Sequence, residues 1–267
     1  MLWPGGSSIL VGWAGPGVHL DEGGAAPVRV LCSCLPGFGH FNPLVPLARA
    51  AAGAGHQVAF ATAAEFCPRV ADAGFAALPA GLGMGEQVRR AAQAYPTLAA
   101  MAAGRARFES FVPAMLAGVA APARAADLVP LARRWKPDVV VHDEAELAGP
   151  IAAAVAGVAW ASHSVVLRRP ETMARRAGQM IAPLAARYGV DVGPQAGLYR
   201  YLHFDACPPS LQDRSAPPIA AAHLVRKTDN GDTAPGGRRC MSHWGCCSTV
   251  VRCSRRSWKA WRARRST

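Results

Sequence analysis

The chain has 267 residues, enough for one large core or two modest ones, and half of its residues are apolar. No uninterrupted apolar run reaches the roughly 18–20 residues of a bilayer-spanning helix, so no membrane span is expected. The net charge of +12 suggests nucleic acid only until it is located: residues 233–267 carry nine Lys or Arg and no acid, leaving 20 basic against 17 acidic groups in residues 1–232. The body is nearly neutral, and no nucleic-acid partner is expected.

Residues 1–27 are rich in glycine and proline and lack the basic start of a signal peptide, which predicts a disordered leader. Val28 opens an apolar, β-branched run that breaks at Pro36-Gly37 and resumes as an amphipathic segment after Asn42-Pro43. This reads as strand, glycine loop and helix, with Asn42 capping a helix over 42–55 and Pro43 in its first turn. His40 lies in that loop, at the carboxyl end of the first strand, where α/β sheets bind their ligands. A second strand is predicted over His56–Thr62, a short helix over Ala64–Gly74 and a third strand over Phe75–Pro79. The β-α-β-α-β rhythm with short turns marks a parallel sheet covered by helices. Gly81, Gly83 and Gly85 then form a plain loop, since the Lys-Ser/Thr of a phosphate-binding P-loop is absent.

Residues 86–134 read as alanine-rich helix with breaks at Pro96 and Pro113. Phe108, Phe111 and Met115 recur at helical spacing, as core packing or as the wall of a pocket for an apolar substrate. Pro137-Asp-Val-Val-Val-His-Asp143 is a buried strand ending in His142, Asp143 and Glu144. Asp143 either caps a helix starting near Glu144 or joins His40 on the rim of the sheet. Val158–His163 is a further strand that delivers His163 to the same rim. A helix over 170–188 and a strand over 201–206 complete the body, before proline-rich linker sequence. Cys32, Cys34, Cys67 and Cys207 match no zinc or disulfide spacing, which fits a reducing cytoplasm.

Gly37-x-Gly39-His40-x-x-Pro43 after a first strand, Gly53-Ala-Gly-His-Gln-Val closing the next helix, Pro137-Asp-x-Val-Val-x-Asp143, and Cys207-Pro-Pro-Ser-Leu-Gln212 occur in that order. Together they resemble the N-terminal, acceptor-binding domain of inverting GT-B glycosyltransferases, in particular the bacterial group that glycosylates macrolides and aromatic polyketides. The likeness covers about 28–225. It implies an α/β fold: a Rossmann-like parallel sheet flanked by helices, one half of a GT-B fold. It also implies His40 as catalytic base and Asp143 as its partner, taking the proton of an acceptor hydroxyl as that oxygen attacks a nucleotide sugar. Phe38, Phe41, Phe108, Phe111 and His163 are the implied acceptor-binding residues, and Gly37, Gly39 and Asn42 the implied contacts to the donor. The resemblance implies no metal and no cofactor apart from the nucleotide-sugar co-substrate.

The His-x-Gly-x-Gly diphosphate segment of the family's second domain does not occur. Residues 226–267 read as linker and a basic tail of arginine, tryptophan, cysteine and serine without hydrophobic period. Read in another frame, the tryptophan codons force Leu, Gly, Glu and Ala into a pattern like the opening strand, loop and helix of that domain. A frameshift between Lys227 and Cys240 is therefore expected, and with it a truncated, weakly active or inactive chain. The rivals are a basic nucleic-acid arm, a non-catalytic aglycone-binding fragment and a Rossmann oxidoreductase. The last is disfavoured because the third fingerprint glycine is replaced by Asn42 and no acid ends the second strand.

Overall fold

The computed structural model describes residues 26–165, 167–212, 219–228 and 248–251. Strands β1 (Arg29–Ser33), β2 (Gln57–Thr62), β3 (Ala76–Pro79), β4 (Val139–Asp143), β5 (Ala159–His163), β6 (Leu202–Asp205), β7 (Ala222–Thr228) and β8 (Ser248–Val251) form one sheet in the order β3-β2-β1-β4-β5-β6-β7-β8. All neighbours through β7 are parallel. β8 pairs antiparallel with β7, Val225 opposite Val251.

Parallel strands buried on both sides need apolar residues on both faces, and side chains alternate between those faces. Leu31, Ala59, Ala61, Val140 and Trp160 face one way, into a cluster with Leu128, Ile151 and Ile181. These three lie on α7 (Ala121–Trp135), α8 (Gly149–Ala156) and α9 (Glu171–Arg187). Val30, Cys32, Phe60, Val139 and Val141 face the other way, against Val45 and Leu47 of α2 (Val45–Gly53) and Val70 of α3 (Cys67–Asp72). Each fully buried Leu, Ile or Phe in these layers is worth about 1.5–3 kcal/mol over leaving it exposed. The free thiols of Cys32 and Cys34 are part of the second layer, where burial pushes Cys32 up to about 12.

Between β3 and β4 the chain forms α4 (Met84–Ala94), α5 (Pro96–Ala99) and α6 (Arg105–Met115), the last running through a π-helical turn, Leu116–Ala120, into α7. The break at Pro96 is present, with Pro96 in the first turn of α5. The break expected at Pro113 is not: Pro113 lies inside α6. A proline removes one ladder hydrogen bond and crowds the preceding turn. Here a widened π turn starts three residues later, and α6 stays continuous where it packs against α9. The run Arg105–Trp135 is long and apolar enough by length and composition to cross a membrane, but 61% of its most apolar window is buried in the protein.

Two further expectations change. The helix expected over 42–55 divides into a single turn, α1 (Phe38–Phe41), and α2, which starts at Val45. Asn42 closes α1, its N–H donating to Phe38 O, and does not cap α2. The stretch read as linker after the body contributes β7, which crosses the boundary drawn at 225 and adds a seventh parallel strand. Except for residues 26–27, the proposed leader lies outside the described residues, and so does the tail apart from β8 and the last residues of β7.

Candidate active site

The strand order reverses at β1: β2 and β3 lie on one side, β4 to β7 on the other. At such a switch point the loops beyond the carboxyl ends diverge and leave a crevice. Two loops meet there. The one after β1 carries Gly37 to Phe41, and the one after β4 begins at Asp143.

His40 sits in α1, its N–H bonded to Gly37 O at 3.0 Å. Its Nδ1 lies 3.2 Å from Asp143 Oδ1. The Asp143 side chain is fully buried, while 23% of the His40 side chain stays exposed. The carboxylate is fixed from both sides of the crevice: Leu35 N–H donates to Oδ2 at 2.7 Å and Ala145 N–H to Oδ1 at 2.6 Å. Burial works against the Asp143 charge, but His40 and these backbone donors more than offset it, and its pKa falls below the ordinary 3.8. For His40, burial pulls down, yet the Asp143 charge and hydrogen bond outweigh it and the pKa rises above 6.5. Arg169 opposes that rise and Glu144 assists it. An ionised carboxylate only accepts, so Nδ1 carries the proton and Nε2 presents a lone pair. The arrangement is that of an oriented general base.

The turn that bears Asp143 is itself pinned. His142 Nδ1 donates to Asp143 O at 2.9 Å and Glu146 O at 2.8 Å. The helix-capping role considered for Asp143 belongs instead to Glu146, whose carboxylate accepts the N–H groups of Ala148 at 2.7 Å and Gly149 at 2.9 Å where α8 begins.

The other residues expected at the site divide sharply. Phe38, 55% exposed, flanks His40 and meets Phe66 edge-on at 5.4 Å. Phe108 is 52% exposed on α6. Phe41, Phe111 and His163 are buried. Phe41 packs edge-on against Phe60 and Phe66, Phe111 is turned into the interior, and His163 is buried with Nδ1 donating to Ser164 O at 2.6 Å. Helical spacing put Phe108 and Phe111 on one helix but not in one environment: Phe111 is buried while Phe108 is exposed. Gly39 has open space where a side chain would begin, and a Cβ on Gly37 would stand 3.6 Å from the His40 ring. Their smallness leaves the backbone beside His40 open. Among the described residues no His, Cys, Asp and Glu cluster is arranged to hold a metal.

Sequence reasoning passed over a second set of charges on the rim. Arg169 Nε lies 3.7 Å from Glu144 Oε1, and Arg168 Nη2 lies 3.5 Å from Asp205 Oδ2. Gln212 Nε2 bridges both Asp205 oxygens at 3.1 Å. The only signal for them was the pair Arg168-Arg169 shortly after a buried strand.

Residues 49–231 match the family model described as "Erythromycin biosynthesis protein CIII-like, N-terminal domain". The chain belongs to that family. The match takes in Asp143 and begins after His40. Among curated relatives of this N-terminal domain, L-demethylnoviosyl transferase of Streptomyces niveus is 35% identical over 69% of this chain and 46% of its own length. The 10-deoxymethynolide desosaminyltransferase of Streptomyces venezuelae is 32% identical over 58% of this chain and 39% of its own. The chain thus spans less than half the length of these relatives. Among solved structures, the Streptomyces sp. SF2575 glycosyltransferase SsfS6 superposes with a TM-score of 0.57 at 26% identity, over 72% of this chain and 55% of that one. It has also been solved with thymidine diphosphate. The EryCIII-like domain is therefore one α/β half of the GT-B architecture of natural-product glycosyltransferases.

Proposed function

We propose that this EryCIII-like domain is the acceptor half of an inverting glycosyltransferase, in which His40 Nε2 takes the proton of an acceptor hydroxyl and Asp143 holds the imidazole. The observation that carries this reading is the His40–Asp143 pair at 3.2 Å, one member buried and the other partly open, at the switch point of the sheet. As the alcohol oxygen forms its bond to the anomeric carbon of a nucleotide sugar, its proton passes to Nε2. The bond from that carbon to the diphosphate breaks on the opposite face, and the configuration inverts. Asp143 stabilises the imidazolium formed in that step, and positioned base catalysis of this kind contributes about 10²–10⁴-fold.

The acceptor in this reading is a small, largely apolar hydroxylated molecule lying along Phe38 and Phe108. The donor is held by a second domain, and the open backbone at Gly37 and Gly39, with Asn42 beyond it, faces that donor. Thymidine diphosphate in SsfS6 favours a thymidine-diphosphate sugar. The free cysteines favour the cytoplasm. With β7 included, the domain expected over 28–225 is extended to 228, the residues beyond it are assigned to a linker and frameshifted tail, and 1–27 to a leader.

The test is a transfer assay with thymidine-diphosphate hexoses and 10-deoxymethynolide, run on this chain and on a version whose reading frame is restored beyond Lys227. The restored enzyme is expected to transfer, and His40→Ala to lower kcat by about 10²–10⁴-fold. A restored enzyme whose rate is indifferent to His40→Ala overturns the assignment. Full activity in the chain as it stands overturns the need for a second domain.

A further inference from the structure

Beside His40 the rim holds two hydrogen-bond donors that the fold leaves unused. Arg169 Nε and the Tyr199 hydroxyl are both buried, and neither has a hydrogen-bond partner. A buried donor left unpaired costs stability, which a ligand oxygen can restore. Arg169 stands beside Glu144, and the Glu144 charge also acts on Tyr199. Glu144 is fully buried, accepts Val165 N–H at 3.4 Å and stands 3.7 Å from Arg169 Nε, too far for a hydrogen bond but close enough to hold the guanidinium. The Tyr199 ring is fixed edge-on against His203 at 5.0 Å. Burial first, and then the Glu144 charge, push its hydroxyl well above the usual tyrosine value, so it stays protonated and can donate. The same two groups, Arg169 and Glu144, are near enough to His40 to act on its imidazole. Arg169 and Glu144 thus act on both His40 and Tyr199, and link the base to the second unused donor.

The charge balance indicates what they would take. The rim carries the guanidinium groups of Arg168 and Arg169 against the carboxylates of Asp143, Glu144 and Asp205. An anion entering there meets a net negative surrounding. A neutral oxygen with free lone pairs does not, and it satisfies both donors.

We propose that Arg169 Nε–H and Tyr199 Oη–H, linked through Glu144, form a specificity subsite that hydrogen-bonds a neutral oxygen of the acceptor (a carbonyl, ester or hydroxyl) while another hydroxyl of the same molecule lies at His40. This rests on the acceptor-domain reading above. It explains why the cluster adjoins the proposed base and why the two donors lack partners in the protein alone. A site that hydrogen-bonds its substrate also rejects analogues lacking that oxygen, which would leave these donors buried and unpaired.

The experiment is calorimetric titration of the full chain with 10-deoxymethynolide and, separately, aklavinone, in wild type, Tyr199→Phe and Arg169→Met, with thermal melts of each. Tyr199→Phe is expected to weaken binding of at least one aglycone roughly 5- to 10-fold, the worth of one hydrogen bond. Its melting temperature should hold or rise, because the hydroxyl removed has no partner in the free protein. Arg169→Met should weaken the same aglycone. Affinity unchanged within about twofold in both variants overturns the subsite and leaves the acceptor-domain reading standing. A fall in melting temperature for Tyr199→Phe with affinity unchanged assigns the hydroxyl a structural role and also overturns it. Failure of wild type to bind either aglycone at millimolar concentration overturns the acceptor-domain reading, and the subsite with it.

Discussion

Two neighbouring parts of the same sheet edge hold histidines that do opposite things. In the β1–β4 crevice, His40 faces a carboxylate, keeps part of its ring in the open and has its pKa raised above 6.5. In the β5–β6 seam, His203 is buried against Ser162, and burial, with His163, His142 and Arg168 nearby, pulls it down to about 3. Ser162 donates its hydroxyl hydrogen to Leu198 O, so His203 Nδ1, 2.8 Å from that hydroxyl oxygen, must carry the proton and donate back. Sequence alone presents one as a loop histidine and the other as a histidine inside a predicted strand, with nothing to say which titrates higher. Burial lowers both; the carboxylate opposite His40 Nδ1 overcomes it, whereas the neutral hydroxyl opposite His203 Nδ1 leaves burial and the nearby cationic groups to prevail.

The sharpest way to break the contrast is Asp143→Ala. It strips Leu35, Ala145 and His40 of their common acceptor and should lower the unfolding free energy by about 3–5 kcal/mol in chemical denaturation. Asp143→Asn is the gentler version. With the charge gone and the burial kept, the His40 titration followed by NMR should move from above 6.5 to below it. A midpoint that stays put would mean the carboxylate does not govern this histidine.

Next in size is Gly178→Ala on α9, where a Cβ would stand 1.9 Å from Pro194 O. That contact displaces the backbone leading to Leu198, the acceptor for Ser162, and overpacking of this kind costs about 1–3 kcal/mol. The damage should reach the seam while leaving the His40 titration unchanged.

The pH dependence of stability separates the two regions by sign. For His40 the folded-state pKa is raised, so its contribution is complete below pH 6.5 and is lost as the pH rises through the raised value. For His203 it is lowered, so the contribution is present above 6.5 and fades as the pH falls from 6.5 toward 3. His203→Asn should therefore flatten the loss of stability between pH 6.5 and 4 relative to wild type. A parallel acid limb in both proteins would show that His203 is not held neutral. The smallest effect is expected at Phe108, which is 52% exposed: Phe108→Ser should change unfolding by no more than about 0.5 kcal/mol. It should weaken aglycone binding if the ring lines the acceptor path.

The sheet was legible in the chain because strands buried on both faces must be apolar throughout. The runs at Val139-Val140-Val141 and Ala59-Phe60-Ala61 leave few alternatives. The polar residues that end them, Asp143 and Thr62, mark the rim for the same reason. His40 and Asp143 could be nominated because each follows such a run. What the sequence could not reveal is which side of a helix or loop packs inward. Phe41, Phe111 and His163 have the spacing of site residues and lie in the interior, while Phe108 does not. Asn42 has the chemistry of a helix cap, yet α1 intervenes and α2 starts three residues later. The strand β7 was missed because its pairing is with β6, and a lone run such as Ala222-His-Leu-Val-Arg has no clear period of its own.

Local patterning determined strands β1 to β6, their order of appearance and the residue types at their ends, since each depends on neighbours within a few positions. Only the tertiary structure decided that Leu35 N–H, Ala145 N–H and His40 converge on one carboxylate from residues 103 to 108 positions apart and from the adjoining turn. It alone brought Arg169 to Glu144 and both within electrostatic reach of Tyr199. Proton affinity and unsatisfied hydrogen-bonding capacity are properties of what surrounds a group in space, and chain neighbours supply only part of those surroundings.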